Sequence, residues 1–395
     1  MASTTVDSIL DAWGRGKSAL LYGPPGTGKT RILSELLAQL NQPDLPTGRI
    51  GLDPADSRNP FKSVEAASST KGAGLPKPVK TVWLTFHQSL SYEDFVIGLR
   101  PESNGGVVSL VPHAGTLLDA VLELQDTGGA QSVVLFIDEI NRGNAAKIFG
   151  EFLTFLDFEY RDTTPDGSDN PTKLPLPIRH LTHDGGVYAP IRRSDGSEAS
   201  LAYPSHFPRH IYVVATMNSV DRTAIPIDSA LARRFDRIDI RPDTTLLAER
   251  WSVDMNELGA KAGTPSTLTA AETAILLIDR LNLALAENFG PDFELGHGLV
   301  IDLDPADADP WAQLARIWDR ALCPQLEDRF SGRAEELANA LRVEEFGAVP
   351  YAWRFRTSIS GDSSSSVMTP VSLSAIDPTL ATASLQLLAS RSLGQ

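Results

Sequence analysis

The chain has 395 residues, a net charge of −15 and a pI near 4.9, a length that suits two or three domains. At 42% hydrophobic and 22% charged it has the composition of a soluble globular protein, and no apolar run approaches the ~18 residues of a membrane span. The acidic balance argues against tight non-specific binding of nucleic acid, which rests on Lys and Arg neutralising phosphates, and leaves only a local basic lining open.

The opening, MASTTVDSILDAWGRGKS, lacks the charged n-region and apolar h-region of a secretory signal. Val6 to Trp13 reads as one helix, so no separate N-terminal domain is expected. Ser18 to Thr30, SALLYGPPGTGKT, carries the strongest signal. An apolar run from Ala19 to Tyr22 leads through glycine and proline punctuation into an amphipathic segment, Arg31 to Leu40: strand, loop, helix. The loop satisfies the phosphate-cradle pattern GxxxxGK[ST] at every fixed position. Gly23, Pro24, Pro25, Gly26, Thr27 and Gly28 form the cradle, whose glycines let successive N–H groups point at phosphate oxygens. The helix adds the positive end of its dipole. Lys29 is expected on the β- and γ-phosphates and the Thr30 hydroxyl on Mg²⁺. A nucleoside triphosphate is the expected ligand.

Pro43 to Lys80, rich in Pro, Gly, Ser and Asp, reads as a long surface insertion. Val82, Leu84 and Phe86 alternate as a second strand within Lys80 to His87. Ser91 with Asp94 three residues later resembles a capping box at the start of a short helix. Gly115 to Gln125 predicts an amphipathic helix and Ser132 to Ile140 a strand buried on both faces. Ala145 to Phe158 predicts a helix turning Ile148, Phe149, Phe152, Phe155 and Leu156 inward. Asp162 to Pro208 reads as an ordinary insertion, with hairpins turning at Asp184-Gly185-Gly186 and Asp195-Gly196. Ile211 to Ala215 is a further buried strand, Pro226 to Arg234 a helix with Pro at its start, and Arg237 to Ile240 a fifth strand. Strands alternating with helices give a parallel α/β domain over 1–242.

From Thr244 the character turns helical: Leu246 to Leu258, Leu268 to Asn288, Trp311 to Leu322, and a piece around Arg333 to Leu341. This is a smaller helical domain over 243–345. The single cysteine, Cys323, reads as a core filler; it excludes an internal disulfide framework and fits a reducing, cytoplasmic setting. In an extension over 346–395, YAWRFRTSIS and VMTPVSLSAID flank a Gly-Asp-Ser turn as two β-like runs, before an amphipathic piece from Leu380 to Leu393.

Asp138 and Glu139 end a buried strand, which is where ligands bind in open parallel sheets. Asp138 there can hold Mg²⁺ through water, and Glu139 can orient and deprotonate an attacking water. Asn218 ends the next buried strand and suits contact with the γ-phosphate or that water. Asp221 and Arg222 follow in the loop and read equally as an exposed ion pair. Arg233 and Arg234 end a helix, where the dipole alone favours them; the alternative is an arginine finger for a neighbouring subunit, with neither residue singled out. His180, His183, His206 and His210 lie in Pro- and Gly-rich loops without companion Cys or acids, so no metal site is expected among them.

GPPGTGKT, FHQSLSYEDFVIGLRP, LFIDEINRGNAAKIFGEFL, ATMNSVDRTAIPIDSALARRFD and LGHGL…WDRALCPQLEDRF follow in that order from about Ser18 to Phe330. Together they resemble the McrB-like AAA+ NTPases, motor subunits of modification-dependent restriction systems. The resemblance implies an AAA+ P-loop core followed by a helical lid, assembly into a hexameric ring, and a McrC-like partner that stimulates hydrolysis and carries the nuclease. DNA would then be met mainly through the partner. Lys29, Thr30, Asp138, Glu139 and Asn218 are implied as active-site residues. Asp221, Arg222, Arg233 and Arg234 are implied near the subunit interface, and His297, in LGHG, on the lid facing the nucleotide.

Two departures bear on this. No DNA-reading domain is expected ahead of the motor, so recognition of modified cytosine is not expected of this chain. The RRRF-like helix end of the family reads Ala232-Arg233-Arg234-Phe235, one arginine fewer. ATP is the expected substrate, with GTP, which the family resembled here prefers, as the alternative. A second reading, a MoxR-like AAA+ chaperone remodelling protein partners, draws on the acidic charge; a third is a nucleotide-gated scaffold with negligible turnover.

Overall fold

The computed structural model describes residues 2–40, 78–104, 106–128, 131–162, 170–178, 181, 183–184, 186–220, 229–331, 333, 336–337, 353–358, 365–370 and 372–390. They fall into two compact units, one from 1–22 and 29–239, the other from 23–28 and 240–395. The expected insertion over 43–80 and the expected helix start at Pro226 lie outside the described residues, save the last few of the insertion.

The first unit is built on a five-stranded sheet. Its strands are β1 (Ser18–Gly23), β2 (Val79–Thr85), β5 (Ser132–Asp138), β10 (Ile211–Asn218) and β11 (Phe235–Asp239), in the spatial order β11-β1-β10-β5-β2. β1 pairs with β11, β10 with β5 and β2 with β5, all parallel. The pattern of burial follows from the sequence. Val133 to Ile137 and Ile211 to Ala215 are unbroken apolar runs and are buried on both faces, as central parallel strands must be. β2 alternates because it is the edge strand, and its half-exposed Trp83 stacks on Phe136 at 4.7 Å.

Helices α1 (Ala2–Gly14), α2 (Lys29–Leu40), α3 (Tyr92–Phe95), α4 (Thr116–Asp126), α5 (Ala145–Phe149) and α6 (Ser229–Ala232) accompany the sheet. The capping box at α3 forms as expected: the Ser91 hydroxyl accepts from the Asp94 N–H, and the Asp94 carboxylate accepts from the Ser91 N–H. Between α3 and α4 the chain makes a long antiparallel hairpin, β3 (Ile97–Asn104) with β4 (Val107–Ala114), which the sequence pattern does not announce.

The single helix expected over Ala145 to Phe158 is a correction. α5 stops at Phe149, Gly150 takes φ 52, and Gly150–Leu156 continues as a 3₁₀ helix. Only glycine suits this break, since a Cβ there would lie 2.8 Å from the Tyr92 ring. Ile148, Phe149, Phe152, Phe155 and Leu156 are buried nonetheless.

Both expected hairpins of the 162–208 stretch are present, β6 (His183–Asp184) with β7 (Val187–Tyr188) and β8 (Ile191–Arg192) with β9 (Glu198–Ala199). The stretch is more than a surface insertion, however. Leu176, Ile178, Tyr188, Ile191, Leu201 and Phe207 join the core of the first unit, and β8 pairs with β4.

The second unit packs around α9 (Ala270–Phe289), which follows α7 (Thr245–Trp251) and α8 (Met255–Lys261). One helix from Leu246 to Leu258 is a second correction. Ser252 turns left-handed at φ 55, and the Asp254 carboxylate caps α8 by accepting from the Asn256 and Glu257 N–H groups. α9 starts at a full capping box between Thr269 and Glu272. α10 (Pro310–Ile317), a π turn at Trp318–Leu322 and α11 (Cys323–Arg329) run on from one another. Cys323 is buried, and burial pushes its thiol up to about 12, consistent with a packing role.

The two β-like runs of the tail form the antiparallel pair β12 (Trp353–Ser358) and β13 (Ser365–Pro370). The last helix, α12 (Pro378–Ser390), places Ala381, Leu385, Leu388 and Ala389 in the same core as α9. The tail therefore shares the core of the helical unit, where composition alone suggested a separate extension.

Candidate active site

The carboxyl ends of β5 and β10 lie side by side, with Ile137 opposite Ala215, so Asp138 and Glu139 meet Thr216 and Asn218. Thr216 is almost wholly buried, at 2% exposure, and its hydroxyl joins the two acids to the neighbouring strand. It donates to Asp138 Oδ1 at 2.5 Å and accepts from the Glu139 N–H at 2.9 Å. Glu139 itself is left-handed, φ 53 and ψ 51. A non-glycine residue held there stores about 1–2 kcal/mol of strain, and such residues cluster at active sites.

Both carboxylate oxygens of Glu139 are engaged. Asn218 Nδ2 donates to Oε1 at 3.2 Å, and Arg142 Nε pairs with Oε2 at 2.8 Å. Asn141, on the 3₁₀ turn between them, donates from Nδ2 to the Asn218 carbonyl at 3.2 Å. The sequence reading gives no role to Thr216, Asn141 or Arg142. The last two stand in the IDEINRGN motif, which was the available signal; a lone Thr near a strand end carries none.

The phosphate loop takes the form its glycines allow. Gly26 and Gly28 sit at φ 80 and φ 82, and the Thr27 hydroxyl closes the turn by donating to the Pro24 carbonyl at 2.9 Å. Lys29 and Thr30 open α2, Lys29 buried and Thr30 exposed. Residues 23–28 belong to the second unit, where a Cβ on Gly23 would strike the Ile240 carbonyl oxygen at 2.1 Å.

In that unit the loop rests on the segment holding His297. Gly298 N–H donates to the Gly26 carbonyl at 2.8 Å. Asn282 grips the segment from below, donating to the Leu295 carbonyl at 2.9 Å and accepting from its N–H at 2.6 Å. The Arg329 guanidinium, buried at 3% exposure and pushed down to about 10 by that burial, donates to the Phe293 and Glu294 carbonyls. His297 is buried; its Nδ1 accepts from the Asp243 N–H at 3.1 Å, and its Nε2 lies 4.0 Å from where a Gly28 Cβ would be.

Within the second unit the positive-φ Gly26 and Gly28 leave a cradle of N–H groups of the kind that binds phosphate. Within the first unit an exposed Thr30 hydroxyl opens α2, and Asp138, oriented by Thr216, ends β5, oxygen donors of the kind Mg²⁺ takes. Among the described residues no cluster of three or more His, Cys, Asp or Glu suited to a metal occurs.

Comparison with known proteins agrees with this geometry. The model of the AAA domain (dynein-related subfamily) matches residues 73–235, and that of the McrB alpha-helical lid domain matches residues 273–338, together over half of the chain. The chain belongs to the McrB-like AAA+ family. Its relatives include the type IV methyl-directed restriction enzyme EcoKMcrB subunit of Escherichia coli (strain K12), 26% identical over 331 residues, 83% of this chain and 57% of that protein. Another is the type II restriction enzyme BsuMI component YdiS of Bacillus subtilis (strain 168), 24% identical over 226 residues, 55% of each. The McrB-like chain thus spans a little over half the length of these relatives.

Of the remaining expected site residues of this McrB-like protein, Asp221 and Arg222 lie outside the described residues. Arg233 and Arg234 are not with the acids. Phe235 pairs with Ser18, the first residue of β1, so both arginines stand at the amino end of the sheet, while Asp138 and Asn218 stand at its carboxyl end. They also differ from each other. Arg234 is buried, its Nε 3.0 Å from Asp157 Oδ2 and its NH1 donating to the Ala230 carbonyl, whereas Arg233 is exposed.

Proposed function

We propose that this McrB-like protein hydrolyses a nucleoside triphosphate as the motor of a ring-shaped assembly, with ATP favoured over GTP. The observation that carries the reading is the Glu139 carboxylate, strained in place at a strand end, held by Asn218 and adjacent to Asp138. In this mechanism the N–H groups of Gly26 and Gly28 and the start of α2 bind the phosphates, and Lys29 neutralises the β- and γ-oxygens. Thr30 and Asp138 would hold Mg²⁺, which when bound offsets charge on the phosphates. Glu139 orients a water and takes its proton, while Asn218 fixes the carboxylate's direction. His297 stands under the loop and supports its Gly28 turn.

The arginines act, on this reading, in another subunit. A strand of six residues is about 20 Å long, so residues at the amino end of the sheet cannot serve the phosphate site at its own carboxyl end. Arg234 is committed to Asp157, which leaves Arg233 as the finger for a neighbour's triphosphate. The relatives' restriction-enzyme descriptions support a McrC-like, nuclease-bearing partner, with DNA met mainly through it.

The test is phosphate release from ATP and from GTP, with and without the nuclease-type product of the adjacent gene, followed alongside assembly state. Stimulation by that product and nucleotide-dependent ring formation are expected. Turnover indifferent to it would favour a MoxR-like chaperone acting on protein partners.

A further inference from the structure

The chain that follows the catalytic strand returns to the arginine pair. Asp157 ends the 3₁₀ segment Gly150–Leu156 and collects two cations of the first unit. Its Oδ2 lies 3.0 Å from Nε of Arg234, with side-chain exposures of 17% and 9%. Its Oδ1 lies 3.5 Å from Nζ of Lys17, and the same ammonium donates to the Arg233 carbonyl at 3.4 Å. The Arg234 carbonyl in turn accepts from the Ser18 N–H at 3.3 Å. One carboxylate thereby pairs with the side chain of Arg234 directly and reaches the Arg233 carbonyl through Lys17.

Asp157 is itself held still. Arg161, fully buried, donates to the carbonyls of Phe155 at 2.6 Å, Arg209 at 3.2 Å and Ile211 at 2.5 Å, and its guanidinium stacks on Phe158 at 3.6 Å. Phe155 precedes Asp157 by two residues and Phe158 follows it, while Ile211 starts the strand that ends in Asn218. The segment carrying Asp157 is thus tied to the start of β10 by the Arg161 hydrogen bonds.

We propose that Asp157 is a positioning residue for the arginine offered to a neighbouring subunit. It makes the segment behind one subunit's catalytic strand set the geometry of the finger that serves another subunit's site. This rests on the reading of Arg233 as a finger acting in another subunit. A burial-stabilising ion pair would account for the Arg234 contact alone; it leaves the shared Lys17 bridge to the Arg233 carbonyl without a purpose.

The discriminating experiment mixes subunits. Asp157→Asn keeps its own Glu139 and loses the positioned arginine; Glu139→Gln keeps the arginine and loses its own base. Homogeneous Asp157→Asn should turn over at least about ten-fold more slowly with nucleotide affinity changed by less than about two-fold, and Asp157→Glu should recover most of the rate. Mixed with Glu139→Gln subunits, Asp157→Asn sites should regain turnover above the sum of the two separate preparations. Wild-type turnover by Asp157→Asn overturns the proposal because Asp157 is then not needed, and a mixture no faster than that sum overturns it because the damage then lies in the subunit's own site. If Asp157→Asn does not fold, the same mixture is made with Lys17→Met, whose side chain is 42% exposed, and absence of recovery there is equally decisive. Failure of the finger reading is seen separately, as Arg233→Ala turning over at the wild-type rate.

Discussion

Replacing Thr216 with Val keeps the shape of a side chain that is 2% exposed and removes only its hydroxyl. Two hydrogen bonds go with it: the donation to Asp138 Oδ1 and the acceptance from the Glu139 N–H. A part-buried N–H left unpaired costs about 1–3 kcal/mol, and a lost bond to a carboxylate about 1.5–3 kcal/mol. Partial rescue by water brings the expected loss of stability to about 2–4 kcal/mol, read from the urea midpoint and slope. The catalytic consequence is distinct. The N–H bond is one of the restraints holding Glu139 at φ 53, beside Asn218 and Arg142 on its carboxylate, so its loss should loosen the carboxylate and lower turnover by about 10- to 100-fold, equivalent to about 1.4–2.8 kcal/mol. Nucleotide affinity should be nearly unchanged, because on the proposed reading residues 23–30 supply it. Thr216→Ser, which keeps the hydroxyl, should lie close to wild type in rate. A Thr216→Val protein with wild-type turnover and an unshifted midpoint would refute the reasoning.

Gly296→Ala should weaken nucleotide binding by about ten-fold or more, since its Cβ would lie 2.2 Å from the Gly26 carbonyl carbon and must displace the phosphate loop; equilibrium titration with a fluorescent nucleotide checks this. His210 is pushed down to about 4 by burial and by Arg209 and Arg161, and its Nδ1 shares a hydrogen bond with the Tyr212 hydroxyl at 3.1 Å. Its folded pKa lies below the unfolded value, so the unfolded chain binds the extra proton. Stability is whole above about pH 6.5 and should fall by about 3 kcal/mol as pH drops to 4. His210→Phe should remove that component of the slope in urea unfolding across the same range. Arg142→Ala frees one oxygen of Glu139 and should change turnover by more than about three-fold with nucleotide affinity unaltered, read as a split between kcat and binding.

The sequence made the phosphate loop and the strand-end acids legible because each is a local pattern: glycines at fixed spacing, and carboxylates closing an apolar run. The central strands β5 and β10 were equally plain, since burial on both faces demands unbroken hydrophobicity. The breaks at Gly150 and Ser252 were not, because a left-handed residue can interrupt a helix while the apolar periodicity continues through it. The β3–β4 hairpin escaped for a related reason. Its outer strand residues Leu99, Val107, Val108 and Leu110 are exposed, so they show no alternation of buried and polar positions. Arg142, three residues from its partner Glu139, was within reach of the motif. Thr216 and Asp157 matter through partners on other elements, and single-chain spacing holds no record of those partners. The same is true of Arg233 and Arg234, whose different fates follow from Asp157 and from the register of β1 with β11.

The central claim, hydrolysis by Glu139, is met most directly by measuring phosphate release from ATP and GTP by the full chain and by Glu139→Gln, with nucleotide binding followed in the same preparations. The account predicts release by the wild type from at least one nucleotide, and a loss of about 100-fold or more in Glu139→Gln with binding retained. Glu139→Gln releasing phosphate at the wild-type rate, or a wild type that binds nucleotide and never releases phosphate, would contradict it.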